Sequence, residues 1–176
     1  MVAIITGNGA GLEKSSAKIL GAQGVLGSAA LGAANNQVFV NAANGNLVIT
    51  RADEFLVGRG PVVEIDQTYN SQGDLSDDNG DNWRPSVYQR VTGLTGTVNT
   101  AGSTVQRVDW DGSVQLYTYN SGSGAYTSTD DAGAYDSMSF SGTTWTWKDG
   151  SGLIRGTYDS SNNGRDCQDF RVWADG

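Results

Sequence analysis

The chain has no histidine, one cysteine and two prolines among its 176 residues. Without histidine it lacks the usual general base near neutral pH, the Ser-His and Cys-His nucleophile pairs, and the commonest metal ligand. Cys167 has no second cysteine for an internal disulfide, and one thiol cannot build a cysteine-based zinc site. Lysine and glutamate, both good helix formers, number three each. No apolar run approaches the roughly 18 residues of a membrane-spanning helix, so no membrane span is expected. Met1–Gly11 also lacks the basic start and continuous apolar stretch of a secretory signal peptide. These absences disfavour most hydrolase and metalloenzyme chemistry.

What the chain has in quantity is turn chemistry. It carries 25 glycines, 17 serines, 15 threonines and 13 asparagines, and aspartate outnumbers glutamate 16 to 3. Asp, Asn and Gly favour turns because their side chains bond the local backbone or leave it unhindered. A net charge of −8 with a pI near 4.3 argues against nucleic acid or an anionic membrane surface as partner. An acidic composition so poor in lysine and cysteine points to an extracellular setting, reached through an address other than a signal peptide.

Three regions follow from the pattern. Residues 1–36 form a Gly/Ala-rich leader, with a short strand at Met1–Thr6 and one short helix at Leu12–Leu20. From Gln37 to Arg165, strand and turn signals alternate every 8 to 12 residues or so, the spacing of sandwiches, barrels and β shells. Residues 166–176 make an atypical tail. Expected strands include Val62–Tyr69, Trp83–Thr92, Thr104–Trp110, Val114–Asn120, Thr143–Lys148 and Leu153–Asp159. Asn44-Gly45 predicts a two-residue type I′ hairpin turn, since both residues tolerate positive φ. Thr143–Lys148 places Trp145 and Trp147 on one face of a strand. Asp111-Gly112-Ser113 with Thr118-Tyr119 is echoed by Asp149-Gly150-Ser151 with Thr157-Tyr158, which suggests a repeated hairpin unit. The expected fold is all-β: antiparallel, hairpin-rich, sandwich- or shell-like, with at most one short N-terminal helix.

Several short motifs fall in a recognisable order. Val40-Asn41-Ala42-Ala43-Asn44-Gly45-Asn46-Leu47-Val48 is followed by Asp53, Gly58-Arg59-Gly60-Pro61, Thr68-Tyr69-Asn70-Ser71 and Asn82-Trp83-Arg84. Further on come Val108-Asp109-Trp110-Asp111-Gly112-Ser113, Trp147-Lys148-Asp149-Gly150-Ser151, and Tyr158-Asp159 with Gly164-Arg165. This series resembles the N-terminal region of the RHS/YD-repeat family of large bacterial secreted proteins, over roughly residues 38–165. The chain departs from the pattern at Asn44, where the family has threonine. Two extra residues lie between Asp159 and Gly164, and Asp166-Cys167-Gln168-Asp169 stands where an apolar residue normally follows Gly-Arg. Neither Pro61 nor Pro85 follows an aspartate, unlike the Asp-Pro motifs of the family's self-cleaving core. The resemblance implies a non-catalytic structural module of a toxin-carrying protein, contributing to a β shell, to trafficking or to docking. Its partners would be downstream repeats or another protein.

Individual residues admit other readings. Asp74, Asp77 and Asp81 crowd one loop, and Asp159 and Asn163 another, offering the hard oxygen ligands of calcium. In an EF-hand register Leu75 and Ser86 take the key positions of the first loop, and Phe170 the last position of the second. Solvated turns are therefore the favoured reading, and no cofactor is expected. Trp83, Trp110 and Trp145 are candidates for stacking on a ligand, which opens the alternative of a free-standing β-sandwich that binds a glycan or a cell-surface partner. Leu153–Asp159 is expected to leave an unpaired edge prone to self-association, unless the tail with Phe170, Val172 and Trp173 folds back over it.

Overall fold

The computed structural model describes residues 3–5, 11–12, 30–31, 36–56, 63–72, 81–129, 135–160 and 165–166. These contain fourteen strands and no α-helix, so the protein is all-β. The predicted helix at Leu12–Leu20 lies, apart from Leu12, outside the described residues. Among the described residues no helix is long and apolar enough to cross a membrane. The expected single β domain divides into two compact units. One comprises residues 1–88 with 109–114, the other residues 89–108 with 115–176.

The first unit is a six-stranded sheet built from β1 (Ala3–Ile5), β2 (Ala30–Leu31), β3 (Asn36–Asn41), β4 (Leu47–Leu56), β5 (Val63–Asn70) and β6 (Trp83–Pro85). The order is β1-β3-β4-β5-β6, with β2 also pairing β3. β1 runs parallel to β3 and the remaining pairs are antiparallel. Phe39 opposes Val48 and packs with Ile5 and Leu12, so two residues of the leader belong to this core. Row by row, the same face carries Phe39, Val48 and Asn70, then Gln37, Thr50, Thr68 and Arg84, then Ala52 and Asp66. The opposite face carries Arg51, Gln67, Tyr69 and Trp83. This alternation follows from the two-residue period of a strand.

The second unit is a closed barrel of β7 (Arg90–Thr95), β8 (Thr104–Val108), β9 (Val114–Asn120), β10 (Ala125–Thr127), β11 (Ser137–Ser141), β12 (Thr144–Lys148), β13 (Ile154–Asp159) and β14 (Arg165–Asp166). Eight strands enclose a space just wide enough for side chains to fill. Val91, Val105, Tyr117, Tyr126, Met138, Trp145 and Tyr158 fill it. On β9 the period is plain: Gln115 and Tyr117 are buried, whereas Val114, Leu116 and Thr118 are exposed. Tyr119, Tyr126, Trp145 and Phe140 form a chain of ring contacts with centroids 5.1, 5.0 and 4.8 Å apart. Offset and edge contacts of this kind add about 0.5–1.5 kcal/mol each beyond simple burial.

Four expectations need correction. Trp83–Thr92 is two strands, because Pro85 supplies no N–H to extend the ladder and instead accepts the Tyr88 N–H at 2.9 Å in a turn. The Asn44-Gly45 turn is not type I′. Gly45 is left-handed at φ 75°, but Asn44 is not among the residues of positive φ. The loop spans four residues, closed by Asn41 N–H to Asn46 O and Gly45 N–H to Asn41 O, both 2.8 Å. The repeated hairpin is real but shifted in register: Asp109 matches Asp149 rather than Asp111. Gly112 N–H donates to Asp109 O and Gly152 N–H to Asp149 O, with φ of 84° and 83° at the two glycines. Finally, Leu153–Asp159 does not end a sheet. β13 pairs β14 through Tyr158↔Asp166 and Asp159↔Arg165, and β14 pairs β7 through Arg165↔Arg90.

Candidate functional site

In the first unit, motifs far apart in sequence converge. Asn41, Asn46, Thr68, Asn70, Arg84 and Asp111 are all buried. Asn46 Oδ1 accepts the Ser71 hydroxyl and the Gln72 N–H at 3.0 Å each, and Leu47 N–H donates to Ser71 Oγ at 2.8 Å. Asn70 Nδ2 donates to the Asp111 carbonyl at 3.4 Å. The Asp111 carboxylate accepts the N–H of Leu12 at 3.0 Å and of Ser113 at 2.9 Å. Gly112 is required here, since a Cβ would lie 2.8 Å from Asn70 Nδ2 and its φ of 84° disfavours any side chain. Two aspartates of the same Asp-Gly signature thus do different work: Asp111 is buried, while Asp149 sits in a surface turn.

Beside this junction, a cleft of about 180 Å³ is lined by Leu12, Gln37, Thr50, Arg51, Ala52, Asp66 and Trp110. Its floor is the sheet face that carries Gln37, Thr50, Ala52 and Asp66 on three adjacent strands. The ladder shifts register between Ala52 and Glu54, at the point where Ala52 lines the cleft. Asp66 is held through its backbone, which donates to Ser86 Oγ at 3.3 Å and accepts the Ser86 N–H at 2.7 Å. The side chains of Gln37, Thr50 and Asp66 make no hydrogen bond with the described residues.

The three candidate tryptophans have three different fates. Trp110 is half-buried and lines the cleft. Trp83 lies on the other face of the sheet, 5.5 Å from the Tyr69 ring and beneath the Arg51 guanidinium at 4.7 Å. Arg51 is itself held by Asp53 at 2.6 Å and Gln67 at 3.0 Å. Trp145 is 3% exposed in the barrel core, so it cannot stack on a ligand. Its partner Trp147 also turns inward, stacked under Arg107 at 3.8 Å and donating from Nε1 to Asp136 at 3.0 Å.

Of the calcium candidates, Asp74, Asp77 and Asn163 lie outside the described residues. Asp81 accepts the Trp83 N–H at 3.0 Å, as a turn former does, and Asp159 is a strand residue opposite Thr144. Among the described residues no cluster of three or more acidic or cysteine side chains is placed to hold a metal.

Sequence reasoning missed the buried Arg107. It donates to Gln115 Oε1 at 2.8 Å, and the Tyr117 hydroxyl shares that acceptor at 3.0 Å. The available signal was its place two residues after Val105, on the inward face of the strand. No family model, curated protein or solved structure matches the chain.

Proposed function

We propose that the chain is a non-catalytic structural module of an RHS/YD-repeat-like secreted protein of a bacterium, contributing to a β shell, to trafficking or to docking. One observation carries this reading. Residues that carry the resemblance tie distant segments of the chain together: Asn46 holds Ser71 and Gln72, Asn70 holds the turn at Asp111, and Asp111 holds Leu12. Buried polar side chains that join distant segments in this way are what a scaffold needs to fix one arrangement of its strands. Downstream repeats are the expected partner.

The test is the gene itself. Sequence on either side of these 176 codons is expected to encode recurring Tyr-Asp units with the Gly-Arg that follows them. Flanking sequence without such units would overturn the reading. Where they are found, the first few repeats expressed separately should bind the purified chain in a pull-down.

A further inference from the structure

We infer that the cleft beside Trp110 is a saccharide subsite that accepts one neutral pyranose unit. The proposal does not depend on the structural reading above.

Size comes first. A space of about 180 Å³ is that of one six-membered sugar ring, and below the several hundred Å³ of a cofactor pocket. The wall chemistry then selects among small ligands. Asp66 is an acceptor whenever ionised, Thr50 both donates and accepts, and Gln37 offers one carbonyl and two N–H groups. None of the three is engaged with the described residues. A sugar hydroxyl is donor and acceptor at once, so a ring bearing several can satisfy all three. An anionic ligand would meet the Asp66 carboxylate, while the guanidinium of Arg51, whose residue also lines the cleft, is held on the other face by Asp53 and Gln67. An apolar ligand would leave the Asp66 carboxylate desolvated and unpaired. The indole of Trp110 and the side chain of Leu12 supply the apolar wall for the C–H face of the ring.

The site is also held in place. Gln37, Thr50, Ala52 and Asp66 stand on paired strands, and Trp110 is in the turn anchored by Asp111 to Leu12 and Asn70. A rigid subsite loses little ordering entropy when occupied. For a ligand of about a dozen heavy atoms, affinity in the millimolar range follows.

The experiment is a two-dimensional NMR titration of the full chain with the methyl pyranosides of glucose, galactose, mannose and N-acetylglucosamine, each to about 50 mM. At least one is expected to shift the Trp110 indole N–H and the Gln37 side-chain amide saturably. Trp110→Ala and Asp66→Leu should each weaken that binding about tenfold or more. Trp110→Phe, which keeps an aromatic wall and checks that the fold survives, should retain it within a few-fold. The inference is overturned if no pyranoside gives a saturable shift, if the shifts centre on Trp83, or if acetate binds as well as the sugars.

Discussion

Gly45 and Asp149 show how single positions in the turns carry weight. At Gly45 a Cβ would meet nothing within 4 Å, so crowding is not what excludes a side chain. The backbone excludes it, because φ of 75° forces any L side chain against its own carbonyl. Gly45→Val is expected to lower stability by about 1–3 kcal/mol, read as a lower midpoint in thermal or urea denaturation. An unchanged midpoint would show that the turn does not hold Gly45 left-handed. Asp149 accepts from the Ser151 hydroxyl and amide and the Leu153 amide, and pairs with Arg155 at 2.7 Å. The Ser151 hydroxyl first, then Arg155, hold its carboxyl well below the usual carboxylate range. A lowered folded pKa means a contribution that is whole above the ordinary value of 3.8 and fades as acid protonates the folded carboxylate. The stability difference between the native chain and Asp149→Asn should therefore be constant from neutrality down to about pH 4, then shrink. A difference that grew on acidification would contradict this.

At the scale of elements, a short seam among the described residues joins β14 to β7. Among the described residues β14 has two residues and meets β7 through one pair, Arg165↔Arg90. Longer seams run elsewhere in the barrel, with five pairs along β11–β12 and five along β12–β13. Removing residues 165–176 takes this strand away and leaves backbone N–H and C=O groups of β7 and β13 without their partner. Edges of that kind recruit other chains. The intact chain is expected to scatter light as a monomer at about 100 μM, and the truncated chain as an oligomer. A monomeric truncation would show that closure through β14 does not protect the edge.

Charge acts on the whole molecule. With a net charge of −8 and no histidine to buffer the change, carboxylates alone set the acid titration. The self-repulsion of this charge at neutral pH falls away toward the pI near 4.3. A solubility minimum is expected there, measured as turbidity against pH, with recovery at lower pH as the net charge turns positive. A flat profile would show that charge does not control dispersion.

Much of this was legible one residue at a time. Alternation in Val62–Tyr69 and Thr143–Lys148 marked strands, because a pleated chain must show alternate residues to opposite sides. Gly45 and Gly112 marked turns, because glycine adopts a left-handed backbone without cost, whereas the left-handed glycine of the second hairpin is Gly152 and not the expected Gly150. These are local properties, so the all-β class and most hairpins follow from sequence. Which strand meets which is not local. The closure of β14 on β7 joins residues 75 positions apart, and the anchor from Leu12 to Asp111 spans 99. Nor could sequence tell that Trp145 fills a core, Trp83 lies under Arg51 and Trp110 lines a cleft. An aromatic residue gains from burial wherever it lands, so its type predicts contact but not the partner. That choice belongs to the sheet register and to the turn held by Asp111, which exist only once the distant strands have met.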